Sequence, residues 1–372
     1  MRTHYDVLIV GAGFTGAVLA ERLASERGLR VLLIDRRDHV GGNAHDRRDA
    51  DGILHHRYGP HIFHTNSRAV VDHLSRFTEW MPYEHRAVGL IDGRLVPIPF
   101  NLTSLAMLFP AAEAQRLTRL LIETHGIDRK VPILALRDSP EAGLRDLAEF
   151  IYANVFLGYT KKQWGLTPEE LSPSVTSRVP VHVSYDDRYF QDEFQSMPRH
   201  GYTRLFERMI DHPGIHLSLN TRLADIGSGT TWDRLIHTGA IDEFFDYALG
   251  ELPYRSLRFE FETYRQRRHQ PVAQVNYPVD RDFTRITEMA HLTQEWGDRT
   301  MVAIEYPIPH RPGLTEPYYP VPRDENLALH DRYLELARRE APEVTFCGRL
   351  GDYRYYNMDQ AIARALTIAR KW

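Results

Sequence analysis

The chain has a single cysteine, Cys347, so an internal disulfide is excluded. It sits in the apolar run Val344-Thr345-Phe346-Cys347, which reads as a buried strand thiol rather than a nucleophile. No stretch approaches the roughly 18 consecutive apolar residues of a membrane-spanning helix. The N-terminus runs straight into an apolar strand pattern, leaving no room for a signal peptide, so a cytoplasmic location is expected. Positive charge is not in excess: the formal net charge is −4, which removes a global basic field and with it the expectation of a nucleic-acid partner. Internal repeats and low-complexity segments are missing too. What remains is a chain of 372 residues, 42% hydrophobic and 26% charged, with the balance of a soluble globular protein and length for two or three domains.

The densest signal lies at the start. Asp6-Val-Leu-Ile-Val10 predicts a strand, followed by Gly11-Ala-Gly13-Phe-Thr-Gly16 and a second apolar run, Val31-Leu-Leu-Ile-Asp35. Gly11 permits the tight turn, Gly13 lets the backbone approach a pyrophosphate, and Gly16 lets helix and strand pack closely. Asp35 falls roughly 20 residues on, where a carboxylate can accept from ribose hydroxyls. A second glycine pair, Gly41-Gly42-Asn43, offers another close backbone approach, as an extended flavin needs; FAD is therefore favoured over NAD.

Organisation is interleaved. The expected segments are 1–100 and 196–238 for the nucleotide domain, completed by 323–372. Residues 101–173 form a helical insertion, with apolar spacing such as Leu144, Leu147, Ala148 and Ile151, and 174–195 with 239–322 an antiparallel sheet. Gly214–Asn220 and Val344–Gly348 look like strands returning to the nucleotide domain. Arg94–Asn101 reads as a proline-broken extended connection, Arg255–Phe261 and Phe283–Tyr306 as strands, and Met358–Trp372 as an amphipathic helix capped by Asn357.

Four clusters could carry chemistry. His61 and His64, near His55 and His56, are spaced like metal ligands, but Gly59-Pro60 argues for a loop and no further ligand completes a set; they are otherwise structural or pocket-lining. Trp164, in Tyr159-Thr-Lys-Lys-Gln-Trp164-Gly165, either stacks on a uracil or sugar ring or folds under its own loop. Arg178 leads into Tyr185–Phe190, and Arg349 into Tyr355-Tyr356-Asn357-Met358. Arginines flanked by tyrosines suit a diphosphate, although surface ion pairing is the common fate of an arginine. A helix N-terminus after Asn357 would also favour the anionic, reduced form of a flavin.

Taken together, GAGFTGAVLA, GGNAHD, YGPHIFHT, LVPIPFNL, YTKKQWG, PYRSLRFE, VNYP, TRITE, EPYYPV and GRLGDYRYYNMDQAI resemble, in sequence and in order, the UDP-galactopyranose mutase family over nearly the whole chain. The resemblance implies an α/β fold: a Rossmann-like FAD-binding domain, an inserted helical domain carrying a mobile substrate loop, and an antiparallel β-sheet substrate domain. It implies an isomerase that interconverts UDP-galactopyranose and UDP-galactofuranose, for galactofuranose biosynthesis. In that family the N5 of reduced FAD attacks the anomeric carbon, UDP leaves, a flavin-sugar iminium forms, and reclosure gives the furanose. An external reductant derived from NAD(P)H and a homodimer are implied as well.

By matching motif, Arg178 and Arg349 would clamp the diphosphate, with Tyr189, Tyr319 and Tyr355 donating to it. Trp164 would ride the substrate loop and Phe156 would line the uridine pocket. Arg255 and Asn276 would lie near the pyrophosphate and sugar. His64 would stand beside the flavin as a catalytic neighbour, with His61 and His85 close by. The cofactor set would be Gly11, Gly13, Phe14, Thr15, Gly16, Asp35, Arg36, Gly42, Asn43, His61, Ile62, Gly348, Arg349, Tyr356 and Met358, with Asn357 at the substrate edge. No metal is expected. One departure stands out: related sequences usually carry a lysine where this chain has Ala290, which bears on sugar or nucleotide preference and on a local ion pair. Alternatives are a mutase for another nucleotide sugar such as dTDP-fucopyranose, a flavin oxidoreductase of the amine oxidase type, and a non-enzymatic nucleotide-sugar binding protein.

Overall fold

The computed structural model describes residues 3–171, 179–279 and 281–372. The chain forms two compact units, each assembled from separated segments. The first comprises Met1–Tyr83, Asp192–Ser256 and His310–Trp372, and the second Glu84–Gln191 and Leu257–Pro309.

The first unit is built on a parallel sheet ordered Ile215–Ser218, Val31–Ile34, Thr3–Val10, Thr230–His237, Val344–Phe346. Val31–Ile34 is buried along its whole length, as an unbroken apolar run in a parallel sheet should be. Helix Phe14–Arg27 follows the first strand and packs against the C-terminal helix Met358–Lys371 and helix Tyr202–Ile210. Gly16 is what lets that helix sit down on the strand: a Cβ there would lie 1.8 Å from the Gly11 carbonyl oxygen. A smaller antiparallel sheet joins Phe63–Thr65, Phe194–Pro198 and Trp80–Pro82. The two expected returning strands are present, and Asn357 precedes the last helix with its amide donating to Gln360 Oε1 at 2.9 Å. Strand Thr230–His237 goes unseen in the sequence because Asp233 and Arg234 break its apolar pattern, yet it pairs with the first strand along its length.

The second unit holds an antiparallel-rich sheet and a helical cluster. The sheet runs from residues 257–264 through Thr300–Pro309, Arg285–Glu288, Gln274–Asn276 and Ala87–Ile91 to Arg94–Ile98. Two expectations need correction here. Arg94–Ile98 is a true edge strand, pairing Val88 with Pro97; an edge tolerates proline because one row of backbone groups needs no ladder partner. The expected strand from Phe283 to Tyr306 is instead two strands separated by the helical turn Met289–Thr293. The first compact segment ends at Tyr83, and Ala87–Ile91 joins Gln274–Asn276 in the second unit's sheet.

The helical cluster contains Leu102–Leu108, Ala111–His125, Ile133–Arg137 and Ala142–Ile151. Leu144, Leu147, Ala148 and Ile151 all face its core. A π-helical turn, Tyr152–Leu157, leads into helix Gly158–Trp164. Lys162 Nζ anchors this helix by donating to the carbonyls of Tyr277, Arg281 (3.0 Å) and Phe283 (3.2 Å).

Glu288 is a buried acid of this unit. It is fully inaccessible and accepts from the His269 amide (2.8 Å), the Gln270 amide (2.9 Å) and Thr300 Oγ1 (2.7 Å), with His291 Nε2 at 3.3 Å. Burial alone would raise its pKa, but the donors from His291, Gln270, Thr300 and His269 bring it down to about 2. Ala290, at the position of the departure and two residues after this acid, is buried at 3% exposure. Because the folded value lies below the unfolded one, the stabilisation from Glu288 is complete above about pH 4.5 and drains as pH falls toward 2. A Glu288→Ala protein should lose about 3–5 kcal/mol in urea unfolding at pH 7, with a smaller deficit against wild type at pH 3.

Candidate functional site

The site in the first unit is a cavity of about 770 Å³. Its floor is bare backbone. Gly11 has φ +104°, and a Cβ there would lie 2.1 Å from Thr238 Oγ1. Gly42, at φ +55°, comes so near that its Cβ would stand 3.0 Å from the Gly13 Cα. Two main chains thus meet with no side chain between them, which is the cradle a pyrophosphate requires. Helix Phe14–Arg27 begins here with no acidic residue in its first turn, leaving its positive end uncompensated. Phe14, Thr15, Asn43, His61, Gly348, Asn357 and Met358 also line the cavity. The donor set and size fit a dinucleotide.

Asp35 is placed where expected and is more occupied than expected. Its Oδ2 accepts from the Ala12 amide at 2.8 Å and its Oδ1 from the Arg37 amide at 2.9 Å, so it ties the glycine turn to the second loop while lining the cavity. Arg36 and Arg37 both donate to Glu316 Oε2, at 2.7 and 2.8 Å. Burial would raise Glu316, but Arg37 and then Arg36 hold it below its ordinary value. Arg37 also donates to Asn43 Oδ1 at 3.0 Å and lies 4.5 Å over the Tyr58 ring. Sequence reasoning missed Arg37, Glu316, Thr238 and His237. Arg37 adjoins Arg36 and Glu316 opens the EPYYPV motif, whereas Thr238 and His237 gave no local sign.

At one side of the cavity, Arg349 donates through Nη2 to the Tyr356 carbonyl at 2.8 Å and lies 5.3 Å over the Tyr319 ring. Tyr319 meets Tyr355 edge-on at 4.9 Å and is the cross-strand partner of Arg255. Burial alone pushes the Arg255 guanidinium below its usual value. The fold therefore gathers Arg255, Tyr319, Arg349 and Tyr355 from three stretches of sequence. Arg178 lies outside the described residues.

His61 lines the cavity, its Nδ1 against the Gly59 carbonyl at 2.9 Å. His64 Nδ1 is 2.8 Å from Asp192 Oδ2, a partner sequence reading did not find, and half-buried Ile62 lies between the two histidines. Neither belongs to the cluster with metal-ligand spacing among the described residues, which is His4, Asp6 and Asp233. Cys347 is a buried thiol pushed up to about 12 by burial, so it is no thiolate nucleophile.

The remaining expected residues belong to the second unit. Phe156 lies on the π-helical turn, a geometry frequent at functional sites, and is 8% exposed. Trp164, equally buried, closes its helix before Gly165 at φ +71°. Asn276 Oδ1 accepts from Gln274 Nε2 at 3.0 Å. Tyr189 donates its amide to the His85 carbonyl at 2.7 Å, with the two rings 5.5 Å apart.

Fold and cavity define a dinucleotide-binding α/β protein of Rossmann type. Residues 9–77 match the NAD(P)-binding Rossmann-like domain model, and residues 154–355 match the model for UDP-galactopyranose mutase. The chain is 38% identical to a probable UDP-galactopyranose mutase of Klebsiella pneumoniae over 98% of its length and 94% of that protein. It is 35% identical to UDP-galactopyranose mutase of Mycoplasma pneumoniae (99% and 96% covered) and 35% identical to dTDP-fucopyranose mutase of Escherichia coli (98% and 97%). Among solved structures, reduced UDP-galactopyranose mutase superposes with TM-score 0.75 at 16% identity, covering 98% of this chain and 93% of the other. A redesigned putrescine oxidase gives 0.60 at 14%, covering 99% of each. The chain belongs to the UDP-galactopyranose mutase family, whose members are isomerases.

A histidine cluster flanks the second glycine loop. His39 stacks on His45 at 3.7 Å, and His56 accepts the His61 amide at 3.0 Å. Burial pushes His45 down to about 4 and His56 to about 3. Folded values below the unfolded one favour the neutral rings, so their stabilisation is present above about pH 6.5 and lost as pH falls toward those values. The thermal midpoint should drop between pH 6.5 and 4, and a His56→Gln protein should show a shallower drop by calorimetry.

Proposed function

We propose that this chain interconverts UDP-galactopyranose and UDP-galactofuranose with FAD held in the first-unit cavity in its reduced form. The observation that carries the reading is the arginine–tyrosine cluster at the edge of a glycine-floored dinucleotide cavity, Arg349 belonging to both. When bound, the reduced flavin supplies a nucleophilic nitrogen for the anomeric carbon, with no net redox change. The chain supplies everything else.

Arg349, with Arg178 as the opposing clamp, binds the diphosphate and steadies the charge that gathers on it as the bond between the anomeric carbon and the diphosphate oxygen breaks. Tyr189, Tyr319 and Tyr355 donate further bonds to its oxygens. Arg255 and Asn276 orient the sugar, while Phe156 and Trp164 hold the uridine, Trp164 on a segment that closes to exclude water. His64, steadied by Asp192, faces the reacting sugar. Asn357 and Met358 bring a helix N-terminus to the flavin, favouring its anionic reduced state. Gly16, Arg36, Ile62 and Tyr356 complete the cofactor set. A cytoplasmic homodimer and an NAD(P)H-derived external reductant accompany this reading.

A second substrate reading has its own support, since the Escherichia coli dTDP-fucopyranose mutase matches as fully as one of the UDP-sugar relatives. Dithionite-reduced protein should convert UDP-galactofuranose, followed by anion-exchange chromatography, while oxidised protein should not. Conversion of dTDP-fucofuranose alone would move the assignment to the second sugar. Consumption of an electron acceptor without isomerisation would make the chain an oxidoreductase. Replacing Arg349 by alanine removes a charge-assisted bond worth roughly 1.5–3 kcal/mol, so kcat/KM should fall about ten- to hundredfold while bound FAD stays near stoichiometric.

A further inference from the structure

The turn that carries Arg349 is closed by a residue to which no role has yet been given. Asp352 Oδ2 accepts from the Gly348 amide at 3.1 Å, the Tyr356 hydroxyl at 3.2 Å and Arg364 Nε at 3.2 Å, while Oδ1 accepts from Arg364 Nη2 at 3.1 Å. The Asp352 amide donates back to the Gly348 carbonyl at 2.8 Å, so both backbone groups of Gly348 are held by one residue. The carboxylate is largely shielded, at 13% side-chain exposure, whereas Arg364 reaches it from the C-terminal helix at 41%.

This matters for Arg349 because its guanidinium is aimed by backbone carbonyls on either side of the turn. Nη2 donates to Tyr356 at 2.8 Å and Nη1 reaches Tyr318 at 3.4 Å. A free arginine side chain samples many rotamers, so an anion meets a preformed fork only where something else has already ordered it. The Tyr356 carbonyl is one such anchor, and its position depends on a turn that includes Tyr353 in left-handed backbone, φ +48°. Tyr353 is locked by its own hydroxyl, which donates to the Pro253 carbonyl at 2.6 Å, and by stacking on His330. The Tyr356 end has the Asp352 bond instead. A ring of contacts results: Arg349 to the Tyr356 carbonyl, the Tyr356 hydroxyl to Asp352, and Asp352 to the Gly348 amide next to Arg349.

We infer that Asp352 is a positioning residue for Arg349, tying Gly348, Tyr356 and Arg364 together so that the guanidinium is already fixed when a nucleotide diphosphate arrives. The inference rests on the reading of Arg349 as a diphosphate ligand. Asparagine at 352 keeps the size but offers one acceptor oxygen, and its NH₂ then faces either the Arg364 guanidinium or the Gly348 and Tyr356 donors.

The test is a double-mutant cycle on the FAD-loaded, oxidised protein, with UDP binding read by calorimetry. In the wild-type background Asp352→Asn should raise the Kd for UDP about tenfold, the size of one net hydrogen bond. In an Arg349→Ala background the same change should alter Kd less than twofold, because a residue that acts only through Arg349 has nothing left to position. Arg364→Met, which loosens the carboxylate from outside, should weaken UDP binding in the same direction, again only when Arg349 is present. If Asp352→Asn leaves UDP binding unchanged, or weakens it equally in both backgrounds, Asp352 is a structural residue and the inference is overturned. If Arg349→Ala itself leaves UDP binding intact, the reading of Arg349 falls first and this inference goes with it. Should Asp352→Asn not accumulate as folded protein, the Arg364→Met pair decides by the same comparison.

Discussion

The close approach of two backbones, Gly13 and Gly42, is the constraint around which the first unit is arranged. A pyrophosphate can be held by amides only where no Cβ intervenes, so two turns far apart in sequence must both be glycine and must stay in register. The register is kept by Asp35, which accepts one amide from each side, and by the Gly41 amide, which donates to the Ala12 carbonyl at 2.9 Å. An acid usually discussed as a ribose ligand therefore has an earlier structural task here.

The same economy recurs where acids are partly or wholly withdrawn from water. Glu316 is shared by Arg36 and Arg37, Asp352 by Arg364 and two neutral donors, Glu288 by His291 and two amides. In each case an anion would be costly in a low-dielectric setting if left alone, and several donors converge on it. Two of these acids stand at the borders of loops that line the cavity, so their shared donors also order the elements around it.

Much of this was legible in advance, and the limits were physical. The glycine turn, the acid on the second strand and the Asn357 cap were readable because each depends on a few neighbouring residues. The helix Ala142–Ile151 was readable from spacing alone, since burying one face of a helix imposes its own period. Thr230–His237 was not, because its polar residues carry no alternation and its membership is set by pairing with Thr3–Val10. Pro97 argued against a strand that an edge position allows. The Met289–Thr293 turn was hidden because short apolar runs fit helix and strand equally well.

Family, fold class and the presence of a dinucleotide turn were determined by the sequence itself, through local conformational demands and motif order. Which polar groups meet was decided only by the tertiary structure. His64 finds Asp192 at a separation of 128 residues and Arg36 finds Glu316 at 280, and no local pattern encodes either pairing. The reason is that long-range polar contacts are fixed by how strands and loops converge in space, whereas a glycine's φ or a helix cap is satisfied within a single turn of chain.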